Sequence, residues 1–153
     1  MDNKKRLLLD IAMFAAIVVL MNPILTGINA HIWIGLALFV PALLHVALNW
    51  DWAMRTVDRL FEAIRGASRA KLALGFALFV SFVTVMLSGV MVVPAVANSF
   101  IAAYAAWHAL HSLSAWAFTG LALTHLVIHA RWIAGVLQRG YTTTVRPSEG
   151  ALR

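Results

Sequence analysis

Six histidines occur in the chain, and four of them fall into two pairs with one spacing. The interval from His31 to His45 is repeated from His111 to His125. In a helix that interval is about 21 Å of rise and leaves the two side chains about 40° apart, on one face. All four stand in apolar stretches, where an ionisable group is costly and is read first as functional. If the two helices run in one direction and face each other, His31 meets His111 and His45 meets His125. The result is two opposed imidazole pairs at two depths. Neutral imidazole is a good iron ligand, and the cores of helical bundles host such sites between facing helices. A haem fits the pattern, its iron taking one imidazole on each face. The expectation is therefore two non-covalent haem b groups, with His31, His45, His111 and His125 as axial ligands. Hydrogen bonding between helices is the ordinary role of a single membrane histidine; four in matched register favour the metal.

The remaining histidines are secondary candidates. His129 lies one turn past His125, and His108 lies about 60° off the face of His111. Both are assigned to the edge of the site, as partners of haem propionates or in proton exchange, with a plain interfacial role as the alternative. Asp10 offers a second acceptor for an imidazole N–H or a proton-handling group at a quinone site. Its placement early in the first apolar run favours the simpler reading of an acid near a helix N-terminus. Gly27 and Gly89 could let a flat ring approach the backbone, although small residues also serve ordinary helix packing. Pro41, one turn before His45, is expected to kink its helix, and Pro94 to end one. The chain has no cysteine, which excludes disulfides, thiolate-held iron–sulfur clusters and covalent haem attachment.

The elements that must carry these residues are apolar throughout. Of 153 residues 62% are hydrophobic and 12% charged, against about a quarter charged in soluble domains. Four segments, at about 7–27, 31–50, 72–96 and 107–130, are long enough to span, since about 20 residues cross the hydrocarbon. The expected fold is all-α: a transmembrane four-helix up-and-down bundle over 1–138, with a polar cytoplasmic tail at 139–153. The first run is longer than the apolar core of a signal peptide and is read as an uncleaved helix. All twelve Lys and Arg residues fall on one side of this four-pass arrangement. The positive-inside rule makes that side cytoplasmic and puts both termini there, in a bacterial inner membrane. The formal charge of +6 is thereby accounted for without nucleic acid. Trp50, Trp52 and Trp132 fall at the cytoplasmic ends and Trp33 and Trp107 at the outer ends, as in an interfacial aromatic belt. Between the second and third spans, Met54, Val57, Leu60, Phe61 and Ile64 recur at helical spacing among Arg55, Asp58, Arg59 and Glu62. That pattern predicts an interfacial amphipathic helix.

An internal repeat underlies the spacing. A single shift along the chain matches His31 to His111, His45 to His125 and Trp52 to Trp132, with Asn49 opposite His129. Leu25-Thr26-Gly27 and Leu87-Ser88-Gly89 end the preceding helices alike. The run Thr26-Gly27, His31, Gly35, then His45-Val46-Ala47-Leu48-Asn49-Trp50-Asp51-Trp52 resembles a family of small four-helix membrane proteins of unassigned function. That family is related to di-haem cytochromes such as hydrogenase cytochrome b subunits and formate dehydrogenase gamma subunits. The resemblance covers about residues 7–135. It implies a four-helix bundle in which His31, His45, His111 and His125 hold b-type haems. Three functions are then in play: an electron-transfer subunit, with membrane lipid around it and a quinone and a redox subunit as partners; a haem-free anchor or scaffold; and a transporter using the histidines as a relay. No dinucleotide fingerprint or flavin module accompanies them, so an electron-transfer subunit of an oxidoreductase is expected rather than an enzyme acting alone.

Overall fold

A computed structural model of the chain describes residues 3–58, 66–99 and 101–145. Every regular element among the described residues is helical. In chain order they are α1 (Asn3–Leu20), α2 (Pro23–Thr26), α3 (Ile28–Leu48), α4 (Trp50–Asp58), α5 (Gly66–Val92), α6 (Pro94–Ala97), a 3-10 turn (Ile101–Ala103) and α7 (Tyr104–Val145).

Three stretches are long and apolar enough to cross a membrane: Ile28–Leu48, Arg69–Val92 and Ile101–Gln138. They coincide with the expected second, third and fourth spans. The expected first span, 7–27, is not one helix. Proline has no amide hydrogen for the preceding turn and pushes its predecessor out of the helical region. Asn22 accordingly has φ −123° and ψ 62°, and the chain restarts with Pro23 in the first turn of α2. Gly27 then turns the chain into α3 at φ +79°, a left-handed conformation that glycine adopts without strain. What remains of the first run is α1, whose 18 residues include Lys4, Lys5, Arg6 and Asp10. That charge load keeps it out of the three apolar stretches.

Other boundaries follow local chemistry. α5 stops at Val92, and Pro94 opens the short α6, as a proline does at a first helical turn. α3 continues through Pro41. Asn49 caps α3, its Nδ2 donating to the His45 carbonyl at 2.8 Å, and α4 begins directly after it. Of the predicted amphipathic helix, α4 carries Met54, Arg55, Val57 and Asp58; Arg59, Leu60, Phe61, Glu62 and Ile64 lie outside the described residues. α7 runs to Val145, past the expected start of the tail at 139.

Helix packing sets where the histidines go. α5 lies along α7 and α1 along α3, while α1 also touches α7 and α3 touches α5. The two histidine-bearing helices, α3 and α7, are thus each flanked by α1 and α5. Ile17, Leu38, Ala42 and Phe82 form the buried centre, joined by Met13, Ala16, Leu20, Met86 and Phe118. Leu38 lies midway between His31 and His45, and Phe118 midway between His111 and His125. The Phe82 ring is 5.7 Å from that of Phe118 and 6.4 Å from that of Phe39. An apolar, partly aromatic layer therefore separates the two histidine levels. Outward, Val40, Phe76, Leu113 and Val127 are largely exposed. Lipid is the solvent in which such a surface costs nothing, because the backbone is satisfied within each helix.

Candidate functional site

The packing brings the four histidines together as two pairs. His31 of α3 and His111 of α7 have ring centres 6.1 Å apart, with planes at 83°. His45 and His125 stand 6.5 Å apart at 72°. Both pairs lie between helices whose main backbone neighbours are α1 and α5 rather than each other, so imidazoles bridge the space between α3 and α7.

Each level has one ring whose orientation is fixed by a hydrogen bond. Asp10 of α1 accepts from His45 Nδ1 at 2.6 Å. The Val85 carbonyl of α5 accepts from His111 Nδ1 at 3.0 Å. Carboxylate and carbonyl oxygens are acceptors, so both place a proton on Nδ1; in a neutral ring Nε2 is then the nitrogen open to a metal. Ser88 Oγ donates to the Thr84 carbonyl at 2.6 Å and stands 3.4 Å from His111 Nδ1. His31 differs, because its Nδ1 is buried with no hydrogen-bond partner. A buried polar atom left unpaired calls for an explanation, and a group bound at the ring is one.

Glycine makes the His31–His111 pair possible. A Cβ at Gly89 would lie 3.0 Å from His111 Cε1 and 3.3 Å from its Nδ1. The Ser88-Gly89 pair of α5 is therefore a seat for the His111 ring. Gly27 serves a different purpose: nothing lies within 4 Å of a Cβ built there, and its role is the turn.

The secondary histidines separate. His129 packs beside His125, ring centres 4.5 Å apart, at the edge of the His45–His125 pair. His108 lies against Tyr104 at 6.0 Å. Asn49, opposite His129 in the repeat, is spent on its helix cap. Asp10 requires a correction. It is not in the first turn of α1, where the dipole acts; its carboxylate bonds a histidine 35 residues away. The sequence also held no sign that the Val85 carbonyl would take the His111 proton, since a backbone atom has no residue signature.

Among the described residues no three His, Cys, Asp or Glu side chains converge on one point as a bare-metal site. The arrangement suits a group that carries its own equatorial ligands and needs two from the protein. An iron between two imidazoles, with metal–nitrogen bonds of about 2.0 Å and about 1.1 Å from nitrogen to ring centre, would hold ring centres about 6.2 Å apart. The observed 6.1 and 6.5 Å fit, as do the Nδ1 hydrogen bonds of His45 and His111 and the unpartnered His31 nitrogen. Comparison with protein-family models, curated proteins and solved structures finds no match, and the site is read from its own chemistry.

Proposed function

We propose that the chain is a membrane-embedded di-haem b-type cytochrome, transferring electrons across the bilayer or between a quinone and a partner redox protein. The observation that carries this reading is the pair of ring separations, repeated at two levels of one helix pair. His31 and His111 hold one haem, and His45 and His125 the other. Bound there, the haems supply one-electron chemistry, iron moving between ferric and ferrous. The protein's part is to bind, orient and tune them. Asp10 and the Val85 carbonyl keep two imidazoles in the ligating tautomer. Gly89 admits one ring, and Phe82 and Phe118 keep water from the space between levels. Held by an imidazole on each side, the iron would keep no position for a substrate, which would suit electron transfer rather than substrate chemistry.

In this reading α1, continued by α2, is a fourth span, and the helices form an up-and-down bundle in a bacterial inner membrane with both termini cytoplasmic. The charge distribution supports it, since a three-span topology would scatter the twelve Lys and Arg residues over both faces. A haem-free anchor for a larger complex is the second reading. It is favoured by the bonds His45 and His111 already make to neighbouring helices, which would serve packing alone.

A reduced-minus-oxidised absorbance spectrum of the purified protein, expressed with haem supplied, separates the two. A b-type band and two haems per chain are expected. Each of His31→Ala, His45→Ala, His111→Ala and His125→Ala should then lower the content to one, while His108→Ala and His129→Ala retain two. A spectrum without the band leaves the anchor.

A further inference from the structure

Resting on the di-haem reading, we propose that Asp10 makes the His45–His125 level the low-potential end of the electron path, so that electrons run from that level toward His31 and His111. The two levels are alike in sequence and unlike in what holds them. At the inner level the Nδ1–H of His45 meets a carboxylate at 2.6 Å; at the outer level that of His111 meets a neutral carbonyl at 3.0 Å.

The difference acts on the iron through the ring. A carboxylate pulls the Nδ1 proton toward itself and makes the opposite nitrogen a stronger donor, as partners behind metal-bound histidines do. A stronger, more anionic donor favours ferric over ferrous iron. Reduction adds one electron and no proton at this site, so a fixed negative charge opposes it directly, and more strongly in an apolar interior than in water. A carbonyl fixes the same tautomer without the charge. The repeat predicts no such asymmetry, because Asp10 is not among its matched positions and reaches His45 only through the packing of α1 on α3. Among the described residues Asp10 is the charged side chain that bonds an imidazole of either pair directly. An acid in an apolar helix is costly, and this is what it does there. The electron enters from a quinol or a reduced partner protein and leaves to an oxidised one, each step moving a single electron.

Potentiometric titration of the purified, haem-loaded chain tests the proposal. His45→Ala and His111→Ala identify the components, each retaining the haem of the other level. The inner haem should titrate lower in the wild type. Asp10→Asn keeps an acceptor of the same shape without the charge. It should shift the ferric preference of the inner haem about tenfold, an upward move of about 59 mV for a one-electron couple, and leave the outer haem unmoved. Asp10→Glu should restore the lower potential. An inner haem that titrates above the outer one overturns the proposal, as does an Asp10→Asn protein whose two potentials match the wild type. If Asp10→Asn sheds its inner haem, the wild-type order of potentials decides alone. Two haems with potentials indifferent to Asp10 defeat this inference and spare the cytochrome reading; a wild type that binds no haem defeats both.

Discussion

Gly89→Ala tests how His111 is seated. The added methyl would lie 3.0 Å from His111 Cε1 and 3.3 Å from Nδ1, inside the optimum of about 3.5–4.0 Å between non-bonded carbons. The ring cannot retreat freely, because Nδ1 is held by the Val85 carbonyl at 3.0 Å from the same helix that carries the new methyl. Overpacking of this kind costs about 1–3 kcal/mol, and a weakened hydrogen bond adds up to about 1 kcal/mol. Against that, alanine in a helix interior gains about 0.5–1 kcal/mol over glycine. The net expectation is a loss of up to about 3.5 kcal/mol, and at the least no gain. Gly75 is the internal control, lying in the same helix α5 with nothing within 4 Å of its added Cβ. Gly75→Ala should gain the propensity term alone, about 0.5–1 kcal/mol. Thermal or denaturant unfolding of both variants in one detergent reads the contrast. Equal and stabilising shifts in the two would refute the idea that Gly89 is kept small for the imidazole.

Two further outcomes are expected. Phe82 is buried among Ile17, Leu38, Ala42 and Phe118 at the meeting of four helices; Phe82→Ala should cost about 3–5 kcal/mol by the same unfolding measurement. The cysteine-free chain also permits single-cysteine labelling of the bilayer sides with an impermeant thiol reagent. Lys5→Cys and Arg69→Cys should label from the cytoplasmic face and Asn22→Cys and Asn98→Cys from the outer face; labelling of positions 5 and 22 from one and the same face would remove α1 as a span.

Hydropathy alone located α3, α5 and the apolar part of α7, because a segment of this length and polarity has no other way to satisfy its backbone outside water. The histidine levels were legible for a related reason. Helical rise and rotation per residue hardly vary, so the interval from His31 to His45 places two side chains on one face whatever surrounds them. The break at Asn22-Pro23 was missed, because uninterrupted hydropathy argued for one helix through Gly27, and the sign of it lay only in the stereochemistry of proline. The turn at Asn49 within a continuous helical pattern was not, since nothing in its composition marks an end.

What faces what was decided by packing. A helix apolar all round carries no sequence mark of which side meets which neighbour, so its rotation about its own axis is settled only by the contacts it makes. That rotation brings α1 to α3 with Asp10 against His45, and α5 to α7 with the Val85 carbonyl and Gly89 against His111. The sequence determined that imidazoles would stand at two depths. The tertiary structure gave one depth a charge and the other a neutral dipole, because partners 35 and 26 residues apart are joined only when whole helices come to rest side by side.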